Sequence, residues 1–322
     1  MSDSAPLLTI GIPTWNRAAQ LQQSLATILP QVEAAGGEVD VLVADNASPD
    51  STPEVMLRLT QQHRCLRYMR NAENVGGDRN YVNLLRHSTG QYMWLFGDDD
   101  FMRPGAIAAV LDAIKRLRPS LLLTNFLYCD SHAQLRHYRP PQRYRPQKTL
   151  AGLDLDRLFL HGNHSVSFIS RIVFRRDSID IDDLEAKAEV YACWTQVYAV
   201  ARIARDTRNA CMLSYDAVLC RTGDTDRGTP HVMYADMPRM FSDILLSLGA
   251  SRKVLDGVLR QIRHDMLPLR FYALFRLRGA TDLPRVPLYY RLGYAVFGRS
   301  IIVAWKTYRL AHGRGFTLPP IY

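Results

Sequence analysis

Three consecutive carboxylates, Asp98, Asp99 and Asp100, follow the apolar run YMWLF and a single glycine. Like charges this close repel, and taking an ionised carboxylate out of water without compensation costs on the order of several kcal/mol or more. A cation would relieve both penalties, and a hard divalent ion, Mg²⁺ or Mn²⁺, accepts carboxylate oxygens directly. Three further polar clusters close apolar runs upstream: Pro13-Thr14-Trp15-Asn16-Arg17, then Asp45-Asn46-Ala47-Ser48-Pro49-Asp50, then Asn74-Val75-Gly76-Gly77-Asp78-Arg79-Asn80. Asp and Asn side chains can pair with base edges and ribose hydroxyls, while carboxylates can hold the ion that neutralises a diphosphate, so the inventory fits a nucleotide. The Gly76-Gly77 pair allows either close backbone approach or a tight turn. Each cluster has a plainer reading when taken singly. The triplet could cap the next helix, Asp45-Asn46 could form a turn, Asp78-Arg79 could be a surface ion pair, and Trp15 and Trp94 read as packing residues. The weight lies in the combination.

These clusters must be positioned by the segments between them. LLTIGIP (7–13), VDVLVADNAS (39–48), CLRYMRN, YMWLFG and SLLLTNFLYC read as strands. RAAQLQQSLATILPQV (17–32), TPEVMLRLTQQH, GGDRNYVNLLRHSTG and PGAIAAVLDAIKRL read as helices, from apolar spacing and from Pro53 near a first turn. Such alternation predicts an α/β fold with a mostly parallel sheet and helices on both faces, because parallel strands need crossovers. Ligands of such sheets sit at the carboxyl ends of the strands, which is where all four clusters fall.

The series IPTWNR, VADNASPDST, NVGGDRN and GDDD, in that order and spacing, resembles the nucleotide-sugar domain of family 2 glycosyltransferases with the GT-A (Rossmann-like) fold, over about residues 7–125. The wording around Asp98-Asp99-Asp100 is most similar to the abequosyltransferase-like branch, which adds a dideoxyhexose to a lipid-carried O-antigen unit. The resemblance implies that Pro13, Thr14, Asn16 and Arg17 line the base and ribose, and that Asp45, with Asn46 beside it, contacts the base. Arg79 would approach the nucleotide, and the triplet would be the Asp-x-Asp metal motif. In that assignment Asp100 is on the metal, Asp98 on ribose or metal, and Asp99 bridges the two. Family members often carry an aspartate where Gly97 stands, which leaves the ligand set open. The implied metal would act as a Lewis acid on charge growing at the leaving diphosphate.

The resemblance further implies an inverting displacement, with a base that deprotonates the acceptor hydroxyl. Related enzymes often carry a Glu-Asp pair just before a helical tryptophan. The matching stretch, AKAEVYACWTQVYAVARIA (186–204), has Ala192-Cys193 there instead. Glu189, one helical turn earlier, is the candidate, followed by Glu185, Asp182 and Asp183, with His164 as a non-carboxylate option and a solvated helix face as the plain alternative. CRTGDTDRGTPH (220–231), after the strand ACMLSYDAVL, gathers Arg221, Asp224, Asp226, Arg227 and His231 and reads as a mobile loop able to close over the donor, or as a polar surface loop. The basic, proline-rich RHYRPPQRYRPQK (136–148) reads as the connector between a donor half, 1–135, and an acceptor-binding and catalytic half, 136–250.

Composition bounds the rest. The net charge of +9 is uneven: residues 251–322 hold thirteen Lys/Arg against three Asp, net +10, leaving −1 for the first 250. Along 289–310, taken as helical, Arg291, Arg299, Lys306 and Arg309 fall within about 80° of one another, with Leu292, Tyr294, Phe297, Ile302 and Trp305 over much of the rest. This predicts a basic amphipathic, mainly helical appendage on an anionic membrane surface, or a helix buried against the catalytic domain with snorkelling arginines. Five dispersed cysteines with no C-x-x-C pair read as reduced thiols. The start lacks a signal-peptide pattern and no apolar run reaches the roughly 18 residues of a spanning helix. The expectation is a cytoplasmic enzyme, peripheral on the inner face of the membrane, whose partners are a nucleotide diphosphate sugar and a lipid-linked glycan. Three alternatives weigh less. A nucleotidyltransferase should show a glycine-rich phosphate loop after the first strand, and IPTWNRAAQ has no glycine. A non-catalytic sugar-nucleotide scaffold would not need an intact triplet. Nucleic-acid binding leaves the four loops unexplained.

Overall fold

A computed structural model describes residues 5–135, 146–221 and 237–262, all within one compact unit. Its strands are β1 (Leu8–Thr14), β2 (Val39–Asp45), β3 (Leu66–Arg70), β4 (Tyr92–Leu95), β5 (Phe101–Met102), β6 (Leu121–Cys129), β7 (Leu150–Leu153), β8 (Ile172–Arg175) and β9 (Ala210–Arg221). The helices are α1 (Ala18–Ala34), α2 (Thr52–Gln62), α3 (Gly77–His87), α4 (Ala106–Leu117), α5 (Leu155–Gly162), α6 (Ile181–Val190), α7 (Thr195–Thr207) and α8 (Met237–Ser247). One sheet runs in the order β3-β2-β1-β4-β8-β6-β9-β5, with β7 against β9.

The first half follows the sequence pattern. Helix α1 buries Leu21, Leu25, Ile28 and Leu29, the apolar stripe read from spacing, and Val32 beyond it, and α2 carries its proline in the first turn. β3, β2, β1 and β4 are parallel neighbours. The chain steps outward from β1 to β3 and returns to place β4 on the other side of β1. Strand order therefore reverses at β1/β4, and the crevice outside their carboxyl ends is where an open α/β sheet takes its ligand. Trp94 lies fully buried in this core and donates its indole N–H to the Ser170 carbonyl at 2.8 Å, in keeping with its reading as a packing residue.

The second half departs from the simple alternation. SLLLTNFLYC forms β6, but β8 enters antiparallel between β4 and β6, and β5 and β7 pair antiparallel with β9. The sheet is therefore mixed beyond β4. The stretch 186–204 is likewise not one helix. Residues 191–194 separate α6 from α7, with Cys193 at φ 69° and Trp194 at the N-cap of α7. Positive φ at a non-glycine residue is uncommon and must be held by its surroundings. Here the Asp78 carboxylate accepts the Cys193 N–H at 2.6 Å. The connector's residues 136–145, the loop's residues 222–231 with the five that follow, and the appendage from 263 onward lie outside the described residues.

Gly90, which leads into β4, has no room for a side chain. A Cβ there would lie 2.5 Å from the Thr9 amide nitrogen and 2.8 Å from the Tyr92 carbonyl oxygen. Both obstacles are backbone of the central strands, so Gly90→Ala should destabilise the protein by about 1–3 kcal/mol or more. A urea-denaturation midpoint matching the parent's would contradict this.

Candidate active site

Hydrogen bonds across the β1/β4 crevice tie the expected clusters together. The Thr14 hydroxyl donates to Asp98 Oδ2 at 2.8 Å, and Arg17 Nη1 donates to Asp98 Oδ1 at 3.0 Å and to Asp99 Oδ2 at 3.3 Å. Burial pushes the Asp98 carboxyl up to about 6, with the Asp99 charge adding to the shift and Arg17 and Thr14 opposing it. Burial would lower the Arg17 pKa, yet the three aspartates together raise it above its ordinary value. Arg17 is thus held as a cation beside the triplet. Pro13 is half-buried, whereas Trp15 and Asn16 are exposed. Trp15, read from sequence as a packing residue, shows 48% of its surface to solvent. Its site is the mouth of the crevice, not the core. Asn16 adopts φ 56°, which asparagine tolerates better than most residues, and its N–H donates to Ser48 Oγ at 2.9 Å.

The β2 and β3 ends form the adjoining wall. Asp45 is fully buried, with Oδ1 accepting the Ser48 N–H at 2.8 Å and Oδ2 accepting the Tyr68 hydroxyl at 2.7 Å, while Arg70 stands 3.7 Å away. In this arrangement its carboxylate ties the loop after β2 to β3. Asn46 is a hub. Its N–H reaches the Thr14 carbonyl, its Oδ1 accepts from Asn71 and from the Val75 N–H, and its Nδ2 donates to Asn74. Asp50 accepts the Ala18 N–H at the start of α1. Burial works to raise its pKa, but hydrogen bonds from Thr52 and Ala18 hold it below the usual carboxylate range.

The last aspartate behaves differently from its neighbours. Asp100 is almost fully buried, its Oδ2 accepting the Ser170 hydroxyl at 2.5 Å and its Oδ1 the Arg221 N–H at 3.0 Å. Gly97 N–H in turn donates to Ser170 Oγ at 2.8 Å. A Cβ at Gly97 would meet Asp100 Oδ2 at 3.0 Å and Ser170 Oγ at 3.1 Å, close enough that both side chains would have to give by a few tenths of an ångström. Neither Ser170 nor the buried place of Arg221 stands out in the sequence, since both act through partners 70 or more residues away.

The base candidates separate in space. Asp182 and Glu185 both pair with Arg86, and Asp183 faces Tyr198 and Arg202. Glu189 alone among them reaches Arg79, at 2.6 Å, in the first turn of α3. Arg79 and Glu189 are 56% and 69% exposed, so the two candidates touch each other at the surface. Asp78 does not pair with Arg79; it caps α7 across the two halves. His164 donates its N–H to Asn163, in a 3-10 stretch whose Ser167 carbonyl accepts from Gln196 in the first turn of α7.

The residues present fit a hard divalent ion only with help from a ligand. Asp99 is the more open member of the Arg17-bound pair, with its side chain 17% exposed against 8% for Asp98. Asp98 and Asp100 have both oxygens engaged, and among the described residues no group of three or more His, Cys, Asp or Glu is arranged to hold an ion by itself. A diphosphate would have to complete the shell, as Mg²⁺ and Mn²⁺ commonly require. Asp100, expected on the metal, has each oxygen accepting one hydrogen bond, from Ser170 and from the Arg221 N–H.

This sheet, with its acidic crevice at the β1/β4 reversal, defines a glycosyltransferase of the GT-A fold. Residues 9–179 match the model of glycosyl transferase family 2, and the chain belongs to that family. Abequosyltransferase RfbV of Salmonella typhimurium is 26% identical over 231 residues, covering 68% of each chain. The GalNAc(5)-diNAcBac-PP-undecaprenol beta-1,3-glucosyltransferase of Campylobacter jejuni is 26% identical over 107 residues, 33% of this chain and 34% of that one. Among solved structures, S. aureus TarS 1-349 in complex with UDP-GlcNAc superposes with a TM-score of 0.61 at 14% identity, over 96% of this chain and 93% of that chain. The mannosyltransferase PcManGT of Pyrobaculum calidifontis, in complex with GDP-Man and Mn²⁺, gives 0.56 at 16% identity, over 96% and 81%.

Proposed function

We propose that the enzyme transfers a sugar, with inversion, from a nucleoside diphosphate donor to a glycan carried on a lipid, in the synthesis of a cell-surface polysaccharide of the O-antigen kind. The observation that carries the reading is the Thr14–Asp98–Arg17–Asp99 network, which brings the first and fourth strand ends to one crevice. The two structural neighbours in complex with sugar nucleotides support the donor class, and the names of the two relatives support the acceptor class.

The residues divide the work as follows. Asp98, held by Thr14 and Arg17, receives the ribose hydroxyls. Trp15 and Asn16 at the open mouth take the base, Trp15 by stacking its exposed ring, with Pro13 as the wall behind. Asp45 and Asn46 hold that wall's shape. Asp99 offers the oxygen for Mn²⁺ or Mg²⁺, which when bound supplies Lewis-acid stabilisation of the leaving diphosphate. Arg17 adds a fixed cation beside it, and Arg79 stands at the rim to meet the nucleotide. Glu189 is assigned to take the proton of the acceptor hydroxyl.

In this reading residues 1–135 serve the donor and 136–250 the acceptor. The basic region 251–322 is assigned to the anionic inner face of the membrane on its sequence alone. No helix among the described residues is long and apolar enough to cross a membrane.

A panel of nucleotide sugars, tested by thermal shift with and without Mn²⁺, checks the proposal. One donor should raise the melting temperature, by more with Mn²⁺ than with EDTA, since a ligand at 100 times its Kd stabilises by about 2.7 kcal/mol. A panel that leaves the melting temperature unmoved in both conditions refutes it.

A further inference from the structure

We propose that Ser170 and Arg221 are positioning residues of the metal site, which fix Asp100 as a buried post and thereby present Asp99 to the ion. The inference rests on the donor and metal reading above and extends it to two residues on separate elements. Ser170 lies in the 3-10 turn before β8, and Arg221 ends β9.

The geometry gives each residue a defined hold. Ser170 Oγ stands between the two ends of the acidic turn, accepting from Gly97 N–H at 2.8 Å and donating to Asp100 at 2.5 Å. Because the hydroxyl both accepts and donates there, it fixes the direction of the turn as well as its position. Arg221 closes the other side. Its N–H donates to Asp100 Oδ1 at 3.0 Å, its Nε donates to the Asp99 carbonyl at 2.7 Å, and its Nη2 donates to Gln23 Oε1 on α1 at 2.8 Å. Its guanidinium also lies over the Phe101 ring, 4.5 Å from the centroid. Arg221 is 4% exposed, so these contacts are made away from solvent, where hydrogen bonds to a charged group are strongest.

The consequence concerns Asp99. Its backbone carbonyl is pinned by Arg221, and its neighbour on each side has both carboxylate oxygens engaged. The peptide planes around it therefore have little freedom, its Cα–Cβ bond leaves the turn in one direction, and its carboxylate rests against Arg17 at 3.3 Å. A ligand held this way loses little orientational entropy when an ion arrives. Partners behind a metal ligand commonly contribute 10–100-fold in affinity, and the same range, about 10–100-fold, is expected here.

The test is Mn²⁺ binding itself, followed by loss of the free-ion electron paramagnetic resonance signal, in the presence of UDP, GDP or CDP, whichever raises the melting temperature of the parent most. Ser170→Ala removes the hold on Asp100 and Gly97. Arg221→Gln removes the side-chain hold on Asp99 and Gln23 while leaving the backbone N–H to Asp100. Each should weaken Mn²⁺ binding about 10–100-fold in protein that melts cooperatively without ligand. Should Ser170→Ala fail to fold, Arg221→Gln alone decides. Folded variants that bind Mn²⁺ as the parent does overturn the inference and leave the proposed function standing. A parent that binds no Mn²⁺ with any of the three nucleotides overturns the inference together with the metal part of the proposed function.

Discussion

Asp99→Asn is expected to lower sugar transfer at saturating donor by about 10³-fold or more, because loss of the Lewis acid at a developing phosphate charge removes on the order of 4 kcal/mol of transition-state stabilisation. The change keeps the side chain's size and removes one ligand charge. Asp99 is the clean place to make it. Its carboxylate makes a contact at 3.3 Å to a half-buried Arg17 that keeps Asp98 as its closer partner at 3.0 Å. Asp98 would be a poor choice for the same purpose. Its carboxyl is buried and pushed up to about 6, and its two oxygens hold Thr14 and Arg17, so a variant there would confound binding with local packing. The rate should be measured with added Mn²⁺ over a wide range, alongside the melting temperature. A variant that melts like the parent and loses less than tenfold in rate would place the ion elsewhere.

How much of this was legible in the sequence depends on the distance over which each signal acts. The first four strands and their helices were readable because each apolar run ends on its own polar cluster, and the stripe of α1 repeats at helical spacing. Burial of such a face is a local decision made many times over. Strand β8 was not readable. Four residues, IVFR, inside SVSFISRIVFRR carry no period, and only the gap between β4 and β6 makes them a strand. The two-residue β5 exists for the same reason, as an edge supplied by β9.

The break at 191–194 shows the opposite failure. EVYACWTQV has helical composition throughout, yet Asp78, more than 100 residues upstream, takes the Cys193 and Thr195 N–H groups and so starts a new helix there. A carboxylate at a helix N-terminus satisfies orphan donors and the helix dipole together. From sequence Asp78 was readable as part of a polar cluster at a strand end or as a surface ion pair with Arg79. The triplet divides along the same line. That three carboxylates needed a cation was legible, and Arg17 supplies one. Which carboxylate stays open depended on Ser170 and Arg221, whose positions no spacing rule could supply.

Glu189→Gln is expected to slow transfer by about 10²–10⁴-fold, the usual contribution of a positioned base, while the donor's dissociation constant stays within about threefold of the parent's. The structural argument is one of position. Four carboxylates were candidates, and three of them face Arg86 or the Tyr198–Arg202 side of α6 and α7. Glu189 instead meets Arg79 at the start of α3, beside the Gly76-Gly77 turn that borders the crevice. For its oxygen to accept a proton that ion pair must open, and a diphosphate drawing Arg79 toward itself would open it. Donor binding would then precede the freeing of the base, so that an acceptor hydroxyl meets an available carboxylate only when the sugar is in place. The Gln variant removes the charge that Arg79 now holds, which should leave donor affinity equal or slightly tighter. Glu185→Gln provides the control. It removes the same charge one turn away from an exposed pair with Arg86, and should change the rate by less than about twofold, as surface ion pairs contribute little. Initial rates with a lipid-linked acceptor, together with donor titrations, separate the outcomes. Equal small losses in both variants would remove Glu189 from the reaction, whereas a large loss confined to Glu189→Gln with unchanged donor affinity would assign it the proton.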